Sequence, residues 1–424
     1  NLHLADFLYD QGDVTWTTPR LSIARNADED LGLWISADKL PLGVPLSLAR
    51  DVMSIYETDL PDAVPDIADG EVSELDLVLS RKWRVKMARG SVRNASVSEW
   101  GQWPELSGLN GEVALNEGYG SVILEGEQIR VNWPRMFREP LTIAMPSCTV
   151  EIGWGEGWHL GIDACSLEND DLAAHGRVAL HSNSGKPSID ANVAVTRGKI
   201  GQLDAYWPEA IMKESVKSWL RRGLTGGEIV DGRFMMRGDM DYFPFRNGRG
   251  RFEAVAHVSD ASIDFRDDWP AVQGVDGTAR FVAAGMDVEA RQGSIGGVTA
   301  RSARAVIEDF KRPVLEIRYE ADNTLPEYLD FLQQTPLREQ INVDLSPFGF
   351  AGPASTSGAI TVPLGDTPGE LSVDGRVALD GARFNYPERD ITIDAITGTL
   401  TYSEKGFSGT GLQATYREQP ARLN

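Results

Sequence analysis

Five histidines, His3, His159, His175, His181 and His257, are the first residues to test for chemistry, since imidazole is both a general base and a metal ligand near neutral pH. No two of them stand in an H-E-x-x-H or other paired-ligand spacing, and a lone strand histidine is a structural residue. The two cysteines, Cys148 and Cys165, have neither a C-x-x-C arrangement nor paired histidines nearby, so no zinc site is predicted. G-x-S-x-G is absent, which removes the nucleophile elbow of the α/β-hydrolases. "HSNSGKPS" (181 to 188) lacks the leading glycine of a phosphate loop. "RNGRGRFE" (246 to 253) precedes a strand, whereas phosphate-binding glycines precede a helix, so it reads as a turn. Adjacent acids such as Asp170-Asp171 and Asp267-Asp268 are expected by chance among 63 acidic residues and make no glycosidase pair. The expectation is a protein that is not an enzyme, with no catalytic residue, no metal and no cofactor.

The cysteines have another use. They flank the turn-like "GWGEGWH" (153 to 159), and a two-residue turn on Glu156-Gly157 sets Cys148 directly opposite Cys165 in an antiparallel pair. A disulfide between them is the expectation in an oxidising compartment, and two buried thiols otherwise.

Lys and Arg total 41 against 63 Asp and Glu, a net charge of -22 that repels a phosphate backbone, so nucleic acid is excluded as a partner. No window reaches the roughly 18 apolar residues of a membrane span. The first residue is Asn1, with no basic and apolar leader behind it, and the chain reads as a segment of a longer protein.

Most of the sequence alternates with period two between Gly, Asn and Asp punctuation, the pattern of half-buried strands. In "SIDANVAVTRG", Ile189, Ala191, Val193 and Val195 share one face; in "RFEAVAHVSD", Phe252, Ala254, Ala256 and Val258 do; in "ITIDAITG", Ile391, Ile393 and Ala395 do. Helices are predicted at 207–227, with Pro208 early, Arg221 and Arg222 late and Gly223 as the stop, and at 324–337, with Thr324 as N-cap and Pro336 as the stop. A weaker helix is predicted at 44–61. A Gly-led strand follows each, from Gly70, Gly227 and Gly358.

One phrase recurs. "GQWPELSGLNGEVAL" (101 to 115) and "DDWPAVQGVDGTARF" (267 to 281) share Trp-Pro, then Gly-aliphatic-Asn/Asp-Gly and a strand, with a looser copy in "FNYPERDITIDAITGTLTY" (384 to 402). Proline cannot sit inside a central strand, so the aromatic-Pro pair is read as the corner where one strand ends and the next begins. The unit is helix, Gly, strands, aromatic-Pro corner, Gly, strands, with approximate modules 1–205, 206–323 and 324–424. Such an array is quasi-one-dimensional.

The stretch 206 to 281 resembles the YhdP family of AsmA-like proteins of Gram-negative bacteria. The matching features are Tyr206-x-Pro208 before a helix, Trp219-Leu220 and Gly223 near its end, Phe243-Pro244-Phe245, Gly248-x-Gly250-x-Phe252, and Trp269-Pro270 followed by Gly274 and Gly277. The resemblance continues through "GSIGGVTARSARAVIEDFKRPVLEIR" and "LPEYLDFLQQTPL". It implies a mainly β fold: an elongated, strongly curved antiparallel sheet of repeated β-groove modules, a short helix per module, and an apolar concave face. It further implies a periplasmic, inner-membrane-anchored protein that carries phospholipid between inner and outer membrane and supports the outer-membrane barrier, with phospholipid and envelope proteins as partners. Lipid tails would then contact Ile189, Ala191, Val193, Val195, Phe252, Ala254, Ala256 and Val258. The rival reading closes these faces into an ordinary core, a structural or assembly module of the envelope without a lipid path.

Overall fold

Short alternating segments rich in Val, Ile, Ala and Gly become strands almost throughout the chain. The computed structural model describes residues 1–11, 14–25, 31–42, 67–82, 84–99, 104–182, 187–207, 212–340, 345–404 and 406–423. The strands are β1 (Leu2–Gln11), β2 (Val14–Arg25), β3 (Leu31–Pro41), β4 (Ile67–Ser80), β5 (Val85–Val97), β6 (Glu105–Asn116), β7 (Tyr119–Asn132), β8 (Leu141–Trp154), β9 (Trp158–Glu168), β10 (Leu172–Ser182), β11 (Ser188–Lys199) and β12 (Leu224–Asp239). They continue with β13 (Gly250–Ile263), β14 (Val272–Val282), β15 (Gly285–Ile295), β16 (Val298–Ile307), β17 (Val314–Thr324), β18 (Gly349–Ala351), β19 (Pro353–Pro363), β20 (Ser372–Tyr386), β21 (Ile391–Ser403), β22 (Gly406–Ser408), β23 (Leu412–Tyr416) and β24 (Gln419–Leu423). Two α-helices accompany them among the described residues, α1 (Glu214–Gly223) and α2 (Leu325–Gln333).

The chain divides into two units. One is Asn1–Thr196, Ala205–Met212 and Met235–Tyr242; the other is Arg197–Asp204, Lys213–Phe234 and Phe243–Asn424. In the first, each strand from β1 to β10 pairs antiparallel with the next. In the second, β13 to β17 do the same, and the ladder then runs β17–β19–β20–β21–β23–β24, with β18 on β20 and β22 on β21.

The recurring phrase builds a capped β-bulge at a corner. Val272 opens β14 one residue beyond Trp269-Pro270, and Glu105 opens β6 after Pro104. On the preceding strand, Asp260 has φ 51, and its N–H donates to Asp276 Oδ1 at 3.0 Å. In the other copy Asn94 has φ 45, and its N–H donates to Asn110 Oδ1 at 2.9 Å. Asp276 and Asn110 are the acid-or-amide position of the phrase, so the side chain satisfies a donor that the bulge removes from the ladder. The glycine that follows lets strands close up: a Cβ on Gly277 would run into the backbone oxygen of Glu289, and one on Gly111 into that of Ile123. Trp269 anchors the corner, with its ring centroid 5.9 Å from Phe265 and 6.2 Å from Phe331 of α2.

Asp276 also accepts from Ser259 Oγ at 3.1 Å and from Gln292 Nε2 at 2.6 Å. The Asp260 backbone donor, then these side chains, hold its carboxyl below the usual carboxylate range. Its contribution to stability is therefore complete above the unfolded pKa of about 4 and is lost as pH falls through the lower folded value. The denaturation midpoint of the wild type is expected to fall more steeply below about pH 4 than that of Asp276→Asn; parallel acid limbs would contradict the assignment.

Packing concentrates at the corners. In the second unit Ile200, Ala261 and Val275 form one cluster, and Ala354, Leu379, Ala382, Ile396, Leu412 and Ala414 another, onto which Leu325 and Tyr328 of α2 pack. In the first, Ala95, Leu109, Ile129 and Ile143 form one cluster, and Trp16, Ala37, Leu40, Val72 and Leu75 a second.

The structure corrects several sequence expectations. The first helix covers Glu214–Gly223, shorter than 207–227; Ile200–Tyr206 is 3-10 helix, and Pro208 lies outside the described residues. It ends at Gly223 with Arg221 and Arg222 in its last turn, as expected. The second covers Leu325–Gln333 and gives way to 3-10 helix at Pro336; the Thr324 N–H donates to Glu327 Oε2 at 2.7 Å in a capping box. The helix expected at 44–61 lies outside the described residues. Ala395, placed on the face of Ile391 and Ile393, has φ 50 and is exposed. The bulge there adds one residue, which shifts the alternation so that Ile396 is buried in its place.

Candidate functional site

Registers translate alternation into continuous rows. On one face of the second unit, Ala254 pairs with Phe281, which leads through Met286, Ile307 and Leu315 to Val362. Beside it, Ala256 pairs with Ala279, which leads through Val288, Ala305, Ile317 and Ile360 to Val373. A third row runs from Val258 through Gly277, Ala290, Ala303, Tyr319, Gly358 and Gly375 to Tyr402. The first two rows contain only apolar residues. Of their side chains only Ile307 is fully buried, at 6% exposure, and the others are half-exposed. A core face would be covered; this one keeps contact with solvent over about six strand spacings of roughly 4.8 Å each.

The opposite face of the same strands carries charge. Arg304 meets Asp287 with two hydrogen bonds of 2.9 and 2.6 Å, and Arg301 reaches Glu320 at 2.8 Å and Asp322 at 3.0 Å. Arg280 lies 3.6 Å from Glu253. The Arg304 guanidinium draws the Asp287 carboxyl below its ordinary range. These are exposed, salt-screened pairs that add little to stability, and their role is to keep this face wet.

The first unit repeats the design. Leu77 pairs with Ala88, leading through Leu115, Gly120, Ile152 and Leu160 to Leu180. Gly90 leads through Val113, Val122, Val150 and Ile162 to Val178. A third row passes from Val92 through Gly111 and Leu124 to Cys148, which is joined to Cys165 by a disulfide with a Cα–Cα distance of 4.0 Å. The hairpin register differs by one from the sequence expectation. Trp154 pairs with Trp158 across Gly155-Glu156-Gly157, and Ala164, at φ 48, supplies the extra residue that carries Cys165 back alongside Cys148.

The residues singled out from sequence are placed in different ways. Ala254 and Ala256 begin the first two rows of the second unit and are half-exposed. Phe252, two residues earlier, is half-exposed and meets Phe234 and Phe243 edge-on at 5.8 Å each. Val258 packs on the Ile200, Ala261 and Val275 cluster. In the first unit Ile189, Val193 and Val195 are half-exposed, whereas Ala191 is 2% exposed and packed. Gly176 backs onto Val193, whose Cα would lie 2.8 Å from an added Cβ. Sequence reasoning missed Phe281, Met286, Val288, Ile317 and Ile360, although the alternation that marks β13 is equally present in "VLEIRYE". Among the described residues no three His, Cys, Asp or Glu side chains gather as a metal site, and no helix is long and apolar enough to cross a membrane.

The model of the YhdP protein family matches residues 11–424. The intermembrane phospholipid transporter YhdP of Escherichia coli (strain K12) is 23% identical over 333 residues, which is 77% of this chain and 26% of that protein. The chain thus spans about a quarter of the length of that relative. No solved structure matches it. With the family model covering nearly the whole chain, over strands that present one apolar and one charged face, the chain belongs to the YhdP family.

Proposed function

We propose that the chain is a length of a periplasmic lipid-transfer protein that carries phospholipid between membranes with the acyl tails on its apolar rows. The observation that carries this reading is the pair of uninterrupted, half-exposed apolar rows from β13 to β19 and β20, backed by a charged face. Removing a methylene from water gains about 0.8 kcal/mol, so a tail of about fifteen methylenes, even half covered, gains on the order of 6 kcal/mol. That gain needs area and continuity, with no placed catalytic group, and the protein acts by binding alone. The name of the Escherichia coli relative supports phospholipid as the cargo. A disulfide on the apolar face fits an oxidising compartment such as the periplasm.

The test is mass spectrometry of lipid extracted from protein purified out of the cell envelope without detergent, beside a soluble β-rich control. Phospholipid well above the control is the expected result. Folded, lipid-free protein would instead support an assembly module.

A further inference from the structure

The third row of the second unit departs from its neighbours at one place. Tyr319 of β17 and Tyr402 of β21 lie at its two sides, with Gly358 of β19 and Gly375 of β20 between them. The glycines make room: a Cβ on Gly375 would overlap the Tyr402 ring, and one on Gly358 would sit 2.6 Å from the Tyr402 hydroxyl and 2.9 Å from that of Tyr319. The rings therefore lie over two bare strands, and their hydroxyls meet in a hydrogen bond. Tyr402 also meets Thr356 Oγ1 at 3.1 Å, and Thr356 Oγ1 donates to the Arg376 carbonyl at 3.1 Å. Both tyrosines and Thr356 are half-exposed.

We propose that Tyr319, Tyr402 and Thr356 form a hydrogen-bonding station for the ester-linked glycerol end of a diacyl lipid whose tails occupy the adjoining apolar rows; this rests on the lipid-carrying reading above. Hydrogen bookkeeping supports it. In the empty state Tyr319 donates to Tyr402, Tyr402 to Thr356 and Thr356 to the Arg376 carbonyl, so every hydroxyl hydrogen is used. When an ester carbonyl arrives, Tyr319 turns its hydrogen to the lipid and Tyr402 turns its own to Tyr319. The number of bonds is unchanged and no donor is orphaned. Burial, and then the neighbouring Tyr402, raises the pKa of Tyr319, which keeps its hydrogen in place. The donors are neutral, and Arg318 and Arg376 alternate onto the opposite face, which suits a carbonyl better than a phosphate.

The test compares binding of a diacyl phospholipid with that of its ether-linked analogue, identical in chains and head group but without ester carbonyls. Because the exchange conserves the number of bonds, the wild-type chain is expected to bind the ester and the ether about equally. Tyr319→Phe/Tyr402→Phe keeps both rings but leaves the arriving carbonyl without a donor, and is expected to bind the ester about tenfold more weakly than the wild type with the ether unchanged; Thr356→Val, which leaves one tyrosine hydrogen unpaired until the carbonyl accepts it, is expected to prefer the ester by about threefold to tenfold. Undiminished ester binding by the double variant, or an equal loss for both lipids, overturns the station and leaves the lipid-carrying reading intact. Failure of wild type to bind either lipid overturns that reading itself.

Discussion

Ala256→Asp is expected to lower the phospholipid recovered with the purified protein by tenfold or more without unfolding it. Ala256 stands in the second apolar row, opposite Ala279, and is half-exposed, so a carboxylate there can stay hydrated in the empty protein. With a tail laid along the row it cannot. Desolvating an unpaired carboxylate costs several kcal/mol, and about 1.4 kcal/mol already amounts to a factor of ten in affinity. Val193→Asp puts a carboxylate at a half-exposed valine of β11 and tests the sequence expectation that its face also carries lipid. The control is Ala359→Asp, on the exposed opposite face between Arg318 and Asp374, where lipid content should stay at the wild-type level. Folded Ala256→Asp and Val193→Asp proteins with full lipid content would sink the assignment of the apolar face.

The largest effect on folding is expected at Gly277. Alanine there drives a Cβ into the backbone oxygen of Glu289 on the adjacent strand, and neither strand can yield without breaking ladder bonds. The loss should be about 3 kcal/mol, the upper end of overpacking costs. Gly274, three residues earlier in the same phrase, is the comparison: its φ of 63 disfavours a side chain, but nothing lies within 4 Å of an added Cβ. Gly274→Ala should cost about 1 kcal/mol from backbone strain alone. Chemical denaturation separates the two. Equal losses would mean that close strand approach is not what the second glycine of the phrase provides.

Much of this was legible because the physics is periodic. Alternation at Phe252, Ala254 and Ala256 marks a strand face whatever lies beside it, and the repeated Gly-aliphatic-Asn/Asp-Gly phrase marked a corner before its purpose was visible. Its purpose was not legible: that Asp276 captures the Asp260 N–H depends on a residue sixteen positions earlier and on a bulge that no period-two pattern announces. The same blindness misplaced Ala395, since a single left-handed residue resets the alternation, and hid the three-residue turn at Gly155-Glu156-Gly157, whose register shift the left-handed Ala164 offsets. Nor could spacing reveal Tyr319 and Tyr402 as partners. They stand 83 residues apart and meet only because two glycines on intervening strands align between them.

The measurement that tests the central claim most directly is photo-crosslinking to phospholipid from adjacent positions on one strand. Ile317 lies in the second apolar row, and Arg318 points to the charged face. A photoreactive residue at 317 should capture phospholipid in the cell envelope, and one at 318 should not. Equal capture at both positions, or none at 317 in folded protein, would contradict a lipid path along this face.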